Sequence, residues 1–119
     1  MGDFALVVED DFDLSELFAQ ALRAAGFETE AIRDGLVAQQ RIPAVTPQVV
    51  VLDMHLPNVS GETLFKQIRE DARLKDTYVI VATSDALMGE DMRHVADFVL
   101  IKPTSFTQLR DLALHLRRK

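Results

Sequence analysis

The segment Val49-Val50-Val51-Leu52-Asp53, followed by Met54-His55-Leu56-Pro57, decides the fold of this chain. Its four consecutive apolar residues are typical of a strand that is buried on both faces of a parallel sheet. The run ends at Asp53, and the residues from there to Gly61 indicate a loop. A carboxylate is therefore predicted at the carboxyl end of a buried strand, where open α/β sheets bind their ligands.

Toward the N-terminus, the chain shows the same alternation of buried strand and amphipathic helix. Phe4 to Val8 is a second short apolar run, and the apolar residues from Leu14 to Ala25 recur at spacings of three and four. Glu28 to Ile32 is a weaker strand candidate. A short helix that Pro43 must end follows it.

Toward the C-terminus the alternation continues. The pattern predicts a helix over 64–72, a strand over 78–82, one or two helical turns over 92–96, a strand over 98–101 and a helix over 109–116. Gly89 and Glu90 interrupt the region before the fifth strand, so the fourth helix is expected to be short or irregular. Five strands that alternate with five helices predict an α/β fold, a single doubly wound parallel sheet with helices on both faces.

Composition limits the class of protein. With 119 residues the chain is expected to form one domain over 1–119, and 13 Lys and Arg against 19 Asp and Glu give a net charge of −6. The acidic balance argues against direct nucleic-acid binding. Cysteine is absent, which excludes disulfides and Cys-ligated metals. No apolar stretch approaches the roughly 20 residues that cross a bilayer, so we expect a cytoplasmic domain that makes no membrane contact.

Polar residues follow four of the predicted strands. They are Glu9, Asp10 and Asp11 after the first, Asp53 after the third, Thr83 and Ser84 after the fourth, and Lys102 after the fifth. Each alone has a structural explanation, such as Asp11 or Asp13 capping the first helix. Together at one sheet edge, however, three carboxylates would repel one another unless a cation were present. Oxygen ligands alone suit Mg²⁺.

A carboxylate beside Mg²⁺ and a fixed ammonium group can take part in phosphoryl transfer. Its oxygen can attack phosphorus and form an acyl phosphate, while the metal and Lys102 neutralise charge on the transferring group. The Thr83 hydroxyl could then bind a phosphoryl oxygen that is present in one state and absent in the other.

From Phe4 to about Leu116 the chain resembles the receiver domains of two-component response regulators, the CheY-like superfamily. The motifs that carry the resemblance are Val7-Val8-Glu9-Asp10-Asp11, Val51-Leu52-Asp53-Met54-His55-Leu56-Pro57 with Gly61, Val81-Ala82-Thr83-Ser84 and Ile101-Lys102-Pro103. The resemblance implies a flavodoxin-like sheet with strand order 2-1-3-4-5. It also implies a sensor histidine kinase or phosphotransfer protein as phosphodonor, and a downstream protein whose binding the phosphoryl group switches.

The resemblance further implies a role for each site residue. Asp53 is the phosphoacceptor, Asp10 ligates Mg²⁺, Glu9 acts through a metal-bound water, His55 supplies its backbone carbonyl to the metal, Thr83 is the switch hydroxyl, and Lys102, before a cis proline bond, pairs with the phosphoryl group. Such a domain is not an enzyme for external substrates, because it catalyses only its own phosphoryl transfer and dephosphorylation.

One position departs from the family pattern. Three residues before Lys102 the family usually carries an aromatic residue, and here Val99 stands there while Phe98 points to the opposite face. This departure and the short fourth helix keep a second hypothesis open, a receiver-like scaffold that binds proteins without phosphorylation.

Two enzymatic or cofactor-binding readings are less favoured. A hydrolase of the haloacid-dehalogenase type would need a second Asp two residues after Asp53, where His55 stands. A flavin-binding domain would need a phosphate-binding loop rich in Ser, Thr or Gly after the first strand, where the acidic residues stand.

Overall fold

The apolar runs form one five-stranded sheet in the computed structural model, which describes residues 3–117. The strands are β1 (Phe4–Val8), β2 (Glu28–Ile32), β3 (Val49–Asp53), β4 (Tyr78–Thr83) and β5 (Phe98–Ile101). All four pairings are parallel and the order is β2-β1-β3-β4-β5, which confirms the predicted fold class and strand order. Residues 1, 2, 118 and 119 of the predicted domain lie outside the described residues.

Within residues 3–117, four α-helices connect successive strands and a fifth follows β5, and together they cover both faces of the sheet. They are α1 (Phe12–Ala24), α2 (Gly35–Arg41), α3 (Gly61–Glu70), α4 (Ala86–Met92) and α5 (Phe106–Arg117). Short 3-10 turns follow α2 at Ile42–Ala44 and α3 at Ala72–Leu74. Pro43 lies in the first of these turns, as expected of a residue that ends a helix.

The core has two parts, one on each face of the sheet. On one face α1 and α5 pack through residues such as Phe18 and Leu109 against alternate strand residues. On the other face α2, α3 and α4 pack through residues such as Leu64 and Met92. The central strand β3 is fully buried along its whole length, as its unbroken apolar run predicts.

Side-chain caps fix where the helices begin at the carboxyl edge of the sheet. Asp11 caps α1 by accepting a hydrogen bond from the Leu14 amide at 2.9 Å, so the capping role expected of it is confirmed. Asp85 caps α4 in the same way, accepting from the amides of Leu87 and Met88. These caps set the directions in which the strand-end loops leave the sheet.

The position predicted for α4 was wrong, although its predicted shortness is confirmed. The helix spans Ala86–Met92, so Gly89 and Glu90 lie inside it, whereas Val95 and Ala96 follow its end. The reason is that α4 rests on the sheet through Gly89 and Met92. Because glycine has no side chain, a helix that packs through glycine does not show the apolar spacing of three and four that identifies an amphipathic helix. Among residues 3–117, no helix is both long and apolar enough to cross a membrane.

Candidate functional site

Three carboxylates meet at the carboxyl edge of the sheet. Glu9 directly follows β1 and Asp53 ends β3, and the parallel register that pairs Val8 with Leu52 sets these two side by side. With Asp10, each offers a carboxylate oxygen, and these oxygens all lie within 4.8 Å of one another. The acidic cluster predicted from the sequence is therefore formed.

Burial differs sharply within this cluster. Glu9 and Asp53 are 1% and 2% exposed, whereas Asp10 faces solvent. A buried carboxylate loses hydration and needs a partner in compensation. The cluster thus has two desolvated acids at its base and one exposed acid at its mouth, where an ion from solvent can enter.

Lys102 is the cation that reaches this cluster in the described part of the chain. Its Nζ lies 2.7 Å from Glu9 Oε1 and 3.4 Å from Asp53 Oδ1. Its backbone amide donates to the Thr83 carbonyl at 2.8 Å, and its peptide bond to Pro103 is cis, as the family resemblance implies. The ammonium group is therefore held between β1 and β3 from the end of β5.

Burial and the neighbouring charges shift the pKa values of Glu9 and Lys102. Burial raises the pKa of Glu9 to about 7, and the negative charge of Asp53 adds to this rise, while the hydrogen bond to Lys102 opposes it. Burial alone would lower the pKa of Lys102, but Glu9 and Asp53 together raise it above its usual value. Lys102 is therefore positively charged at neutral pH, whereas burial makes the ionised form of Glu9 unfavourable.

The donor set fits a hard divalent cation. The buried Glu9 Oε1 has the Lys102 ammonium as its close partner, at 2.7 Å. Glu9 Oε2 accepts only a long bond of 3.2 Å from the Asp11 amide. Three carboxylates that share the Lys102 ammonium keep an excess of negative charge, which an oxygen-coordinated ion such as Mg²⁺ would neutralise.

His55 and Thr83 complete the set of predicted residues. The His55 amide donates to Asp53 Oδ1 at 3.1 Å, which fixes the carboxylate, and the His55 side chain is exposed. Thr83 is fully buried at the end of β4, where its Oγ1 accepts from the Asp85 amide at 3.0 Å. The Thr83 hydroxyl is therefore joined through Asp85 to the start of α4.

Thr83 lies where α4 packs against β4 and β5. Phe98 packs in the α1–α5 part of the core and Val99 in the opposite part, so the predicted division of their side chains is confirmed. A Cβ on Gly89 would lie 2.5 Å from Ile101 Cδ1, 3.4 Å from Val99 Cγ1 and 3.5 Å from Thr83 Cγ2. Because Gly89 lacks one, α4 lies directly against Thr83 and β5.

Sequence reasoning missed one contact beside the site. Asn58 Nδ2, in the loop after β3, donates to Asp34 Oδ2 at 2.6 Å. The two residues are 24 positions apart, and each could be explained locally by turn or cap preferences. The one available signal was topological. Asp34 follows β2 and Asn58 follows β3, and these two strands flank β1 in the sheet.

Comparison with known proteins shows the family of this chain. The family model described as "response regulator receiver domain" matches residues 5–114. The chain belongs to the response regulator receiver family of two-component systems. A curated relative, the polar-differentiation response regulator DivK of Brucella anthropi, is 33% identical over 93 residues, which cover 78% of this chain and 76% of DivK.

Solved receiver structures share the fold over almost the whole chain. The CheY-like receiver domain from Methylobacillus flagellatus superposes with a TM-score of 0.84 at 26% identity, covering 98% of this chain and 99% of that one. The receiver domain of the sensor histidine kinase PA1611 from Pseudomonas aeruginosa gives 0.86 at 21% identity, covering 100% of both chains. That structure holds a magnesium ion in its active-site cleft.

Proposed function

We propose that this receiver domain accepts a phosphoryl group on Asp53 from a histidine kinase or phosphotransfer protein, with Mg²⁺ bound by Glu9, Asp10, Asp53 and the His55 carbonyl. One observation carries the proposal. The carboxylate oxygens of Glu9, Asp10 and Asp53 lie within 4.8 Å of one another, and the Lys102 ammonium lies 3.4 Å from Asp53 at the same sheet edge.

The transfer is a displacement at phosphorus. An Asp53 carboxylate oxygen forms the new O–P bond while the P–N bond to the donor imidazole breaks, and the bonding pair stays on the imidazole nitrogen. The His55 amide holds Asp53 Oδ1, which leaves Oδ2 as the attacking atom. Hydrolysis of the resulting acyl phosphate by water would return Asp53 and release inorganic phosphate.

The other residues act on the charge of the transferring group. Bound Mg²⁺ would neutralise negative charge on the phosphoryl oxygens. The residues that would hold it are the two buried acids and Asp10, and its charge would offset the negative charge that the single Lys102 ammonium leaves on these three carboxylates. Lys102 would turn from Glu9 toward a phosphoryl oxygen on Asp53, and the Thr83 hydroxyl would donate to another.

The domain would act by switching a protein–protein interaction rather than by turnover of external substrates. The buried Thr83 connects the acceptor site to α4 through Asp85 and Gly89. The magnesium in the PA1611 receiver and the description of DivK as a response regulator support the proposal. The phosphodonor, and with it this domain, would work in the cytoplasm.

A phosphotransfer assay tests the proposal. Wild type, incubated with Mg²⁺ and a phosphohistidine-bearing kinase or a small acyl phosphate, should gain the mass of one phosphoryl group. Asp53→Asn, which keeps the size of the side chain, should gain none. Equal labelling of the two proteins, or none of wild type with any donor, would reject the proposal.

Val99 favours a second candidate, a receiver-like scaffold that binds its partner without phosphorylation. The aromatic side chain that the family usually carries at this position is replaced by a smaller, half-buried one. Titration with Mg²⁺ separates the two functions. A scaffold with a degenerate site would show no saturable binding at millimolar Mg²⁺, whereas a working phosphoacceptor would saturate.

A further inference from the structure

The loop between β3 and α3, residues 54–60, is fastened to the start of α2 by two hydrogen bonds. Asn58 Nδ2 donates to Asp34 Oδ2 at 2.6 Å, and the Gly35 amide donates to the Pro57 carbonyl at 3.2 Å. The other oxygen of the same carboxylate, Asp34 Oδ1, caps α2 by accepting from the Leu36 amide at 2.7 Å. We call Asp34, Gly35 and Asn58 the loop clasp.

The backbone in the clasp is adapted to this contact. A Cβ on Gly35 would overlap the Val59 carbonyl oxygen and lie 2.9 Å from that of Pro57, so the two chain segments touch directly. Asn58 has a φ of 70°, in the left-handed region that asparagine tolerates better than most residues. In that conformation the exposed Asn58 side chain reaches Asp34.

The clasped loop is the one that carries His55. At its first residues the loop is tied to the site, because the His55 amide donates to Asp53 Oδ1. At its far end it is tied to α2 through Asn58 and Pro57. The backbone between these two attachments therefore has little freedom to move, and it includes the His55 carbonyl.

We propose that the loop clasp positions the β3–α3 loop, and through it the His55 carbonyl, for Mg²⁺. Asp34, Gly35 and Asn58 are positioning residues, since none belongs to the carboxylate cluster itself. The inference rests on the proposed function of that cluster, to which it adds three residues. Groups that orient a metal ligand commonly change metal affinity by about 10-fold to 100-fold when they are replaced.

The test compares two substitutions at one position. Asp34→Ser keeps an oxygen that can cap α2 but removes the acceptor for Asn58. Asp34→Asn removes the same negative charge, yet it can keep the contact, because a flipped Asn58 amide can accept from the new side-chain nitrogen. The difference between the two variants therefore isolates the hydrogen bond from the charge.

The first readout is titration of each purified protein with MgCl₂ alone. We expect Asp34→Ser to bind Mg²⁺ about tenfold more weakly than Asp34→Asn. Asn58→Gly, which keeps the left-handed backbone but loses the amide, should weaken binding by a similar factor. Combining Asp34→Ser with Asn58→Gly should add little, because both remove the same bond. Equal affinities of Asp34→Ser and Asp34→Asn would overturn the inference.

A second readout is independent of the metal. In chelator, the His55 amide should exchange with solvent about tenfold faster in Asp34→Ser than in Asp34→Asn, as the loop loses one attachment. Unchanged exchange would overturn the inference even if wild type binds Mg²⁺ well. A wild type that binds no Mg²⁺ would instead reject the proposed function, and faster exchange would still show the mechanical role of the clasp.

Discussion

The two sides of the carboxyl sheet edge are held together by different interactions. On the β1–β3 side, charged groups are fixed by hydrogen bonds and ion pairs, among them Lys102 to Glu9 and the loop clasp. On the β4–β5 side, Gly89 lies close to Val99, Ile101 and Thr83, and Thr83 accepts hydrogen bonds from the backbone amides of Asp85 and Lys102. The first side holds the charged groups of the proposed chemistry, and the second holds the contacts between α4 and the sheet.

The difference indicates that acceptance of a phosphoryl group and the response to it can be separated by mutation. Substitutions among the charged residues should alter ion binding and transfer. Substitutions around Gly89 should alter the position of α4 on the sheet and leave the positions of the acids unchanged. Four predictions follow from this division, on the rate of phosphoryl transfer, on stability and on Mg²⁺ affinity.

The largest effect is expected for Lys102→Met, which removes the ammonium group but keeps much of the stem. The rate of phosphoryl transfer should fall about 100-fold, because one preorganised charge on the transferring group is lost. Single-turnover labelling at saturating Mg²⁺ measures it. Lys75→Met, an exposed lysine at the opposite end of the strands, is the matched control and should transfer at the wild-type rate. Equal rates in the two variants would remove Lys102 from the mechanism.

The next effect concerns the stability of the metal-free protein. The folded pKa of Glu9 is raised to about 7 from 4.5, so the folded state keeps this proton to higher pH than the unfolded state does. Its contribution to the free energy of unfolding is therefore present at low pH and is lost as pH rises through about 7. Glu9→Gln, which cannot ionise, should be more stable than wild type by about 2 kcal/mol at about pH 8.

Urea unfolding in chelator at about pH 5 and about pH 8 checks the Glu9 prediction, and the advantage of Glu9→Gln should grow with pH. Glu28→Gln, at an exposed position at the start of β2, should show no such growth. A pH-independent difference for Glu9→Gln would mean that Lys102 fully compensates the buried charge.

A smaller effect is expected on the β4–β5 side. Gly89→Ala improves helix propensity by about 1 kcal/mol, but its Cβ would meet Ile101 Cδ1 at 2.5 Å. In an Ile101→Ala background that obstacle is gone. The double-mutant cycle should therefore give a coupling of about 0.5–1 kcal/mol in unfolding free energy, with phosphoryl transfer unchanged. Zero coupling would show that α4 does not rest on β5 through Gly89.

The smallest effect is expected for the side chain of His55. Only its backbone is assigned to the metal and its imidazole is exposed, so His55→Ala should change Mg²⁺ affinity by less than about twofold. Calorimetric titration would reveal a larger change, which would make the imidazole itself a ligand.

The sequence predicted most of the fold because every strand except β2, the weaker candidate, has a distinctive apolar run. The bounds of β1, β2 and β5 agree with prediction, and β4 extends one residue further, to Thr83. The sequence could not predict contacts that depend on close approach of the backbone or on single polar side chains. The glycine contact of α4 and the clasp between Asp34 and Asn58 leave no hydrophobic periodicity, so both were misplaced or missed.

Among the candidate site residues, the acids could be placed together because strand ends share one edge. Their different environments could not. Nothing in Glu9-Asp10 says that the first acid is buried and the second exposed, because that depends on the direction in which the chain turns into α1. The pairing of Lys102 with Glu9 more closely than with Asp53 likewise depends on side-chain reach across three strands.

The most direct test of the account compares the Mg²⁺-bound form with the form carrying beryllofluoride, a phosphoryl mimic, by backbone NMR. If a phosphoryl group on Asp53, on the β1–β3 side, changes the structure of the β4–β5 side, amide shifts should extend beyond residues 53–60 to Thr83, Gly89 and the rest of α4. In Asp53→Asn the mimic should cause no shifts. Wild-type shifts confined to the carboxylates and the β3–α3 loop would contradict the coupling of the two sides.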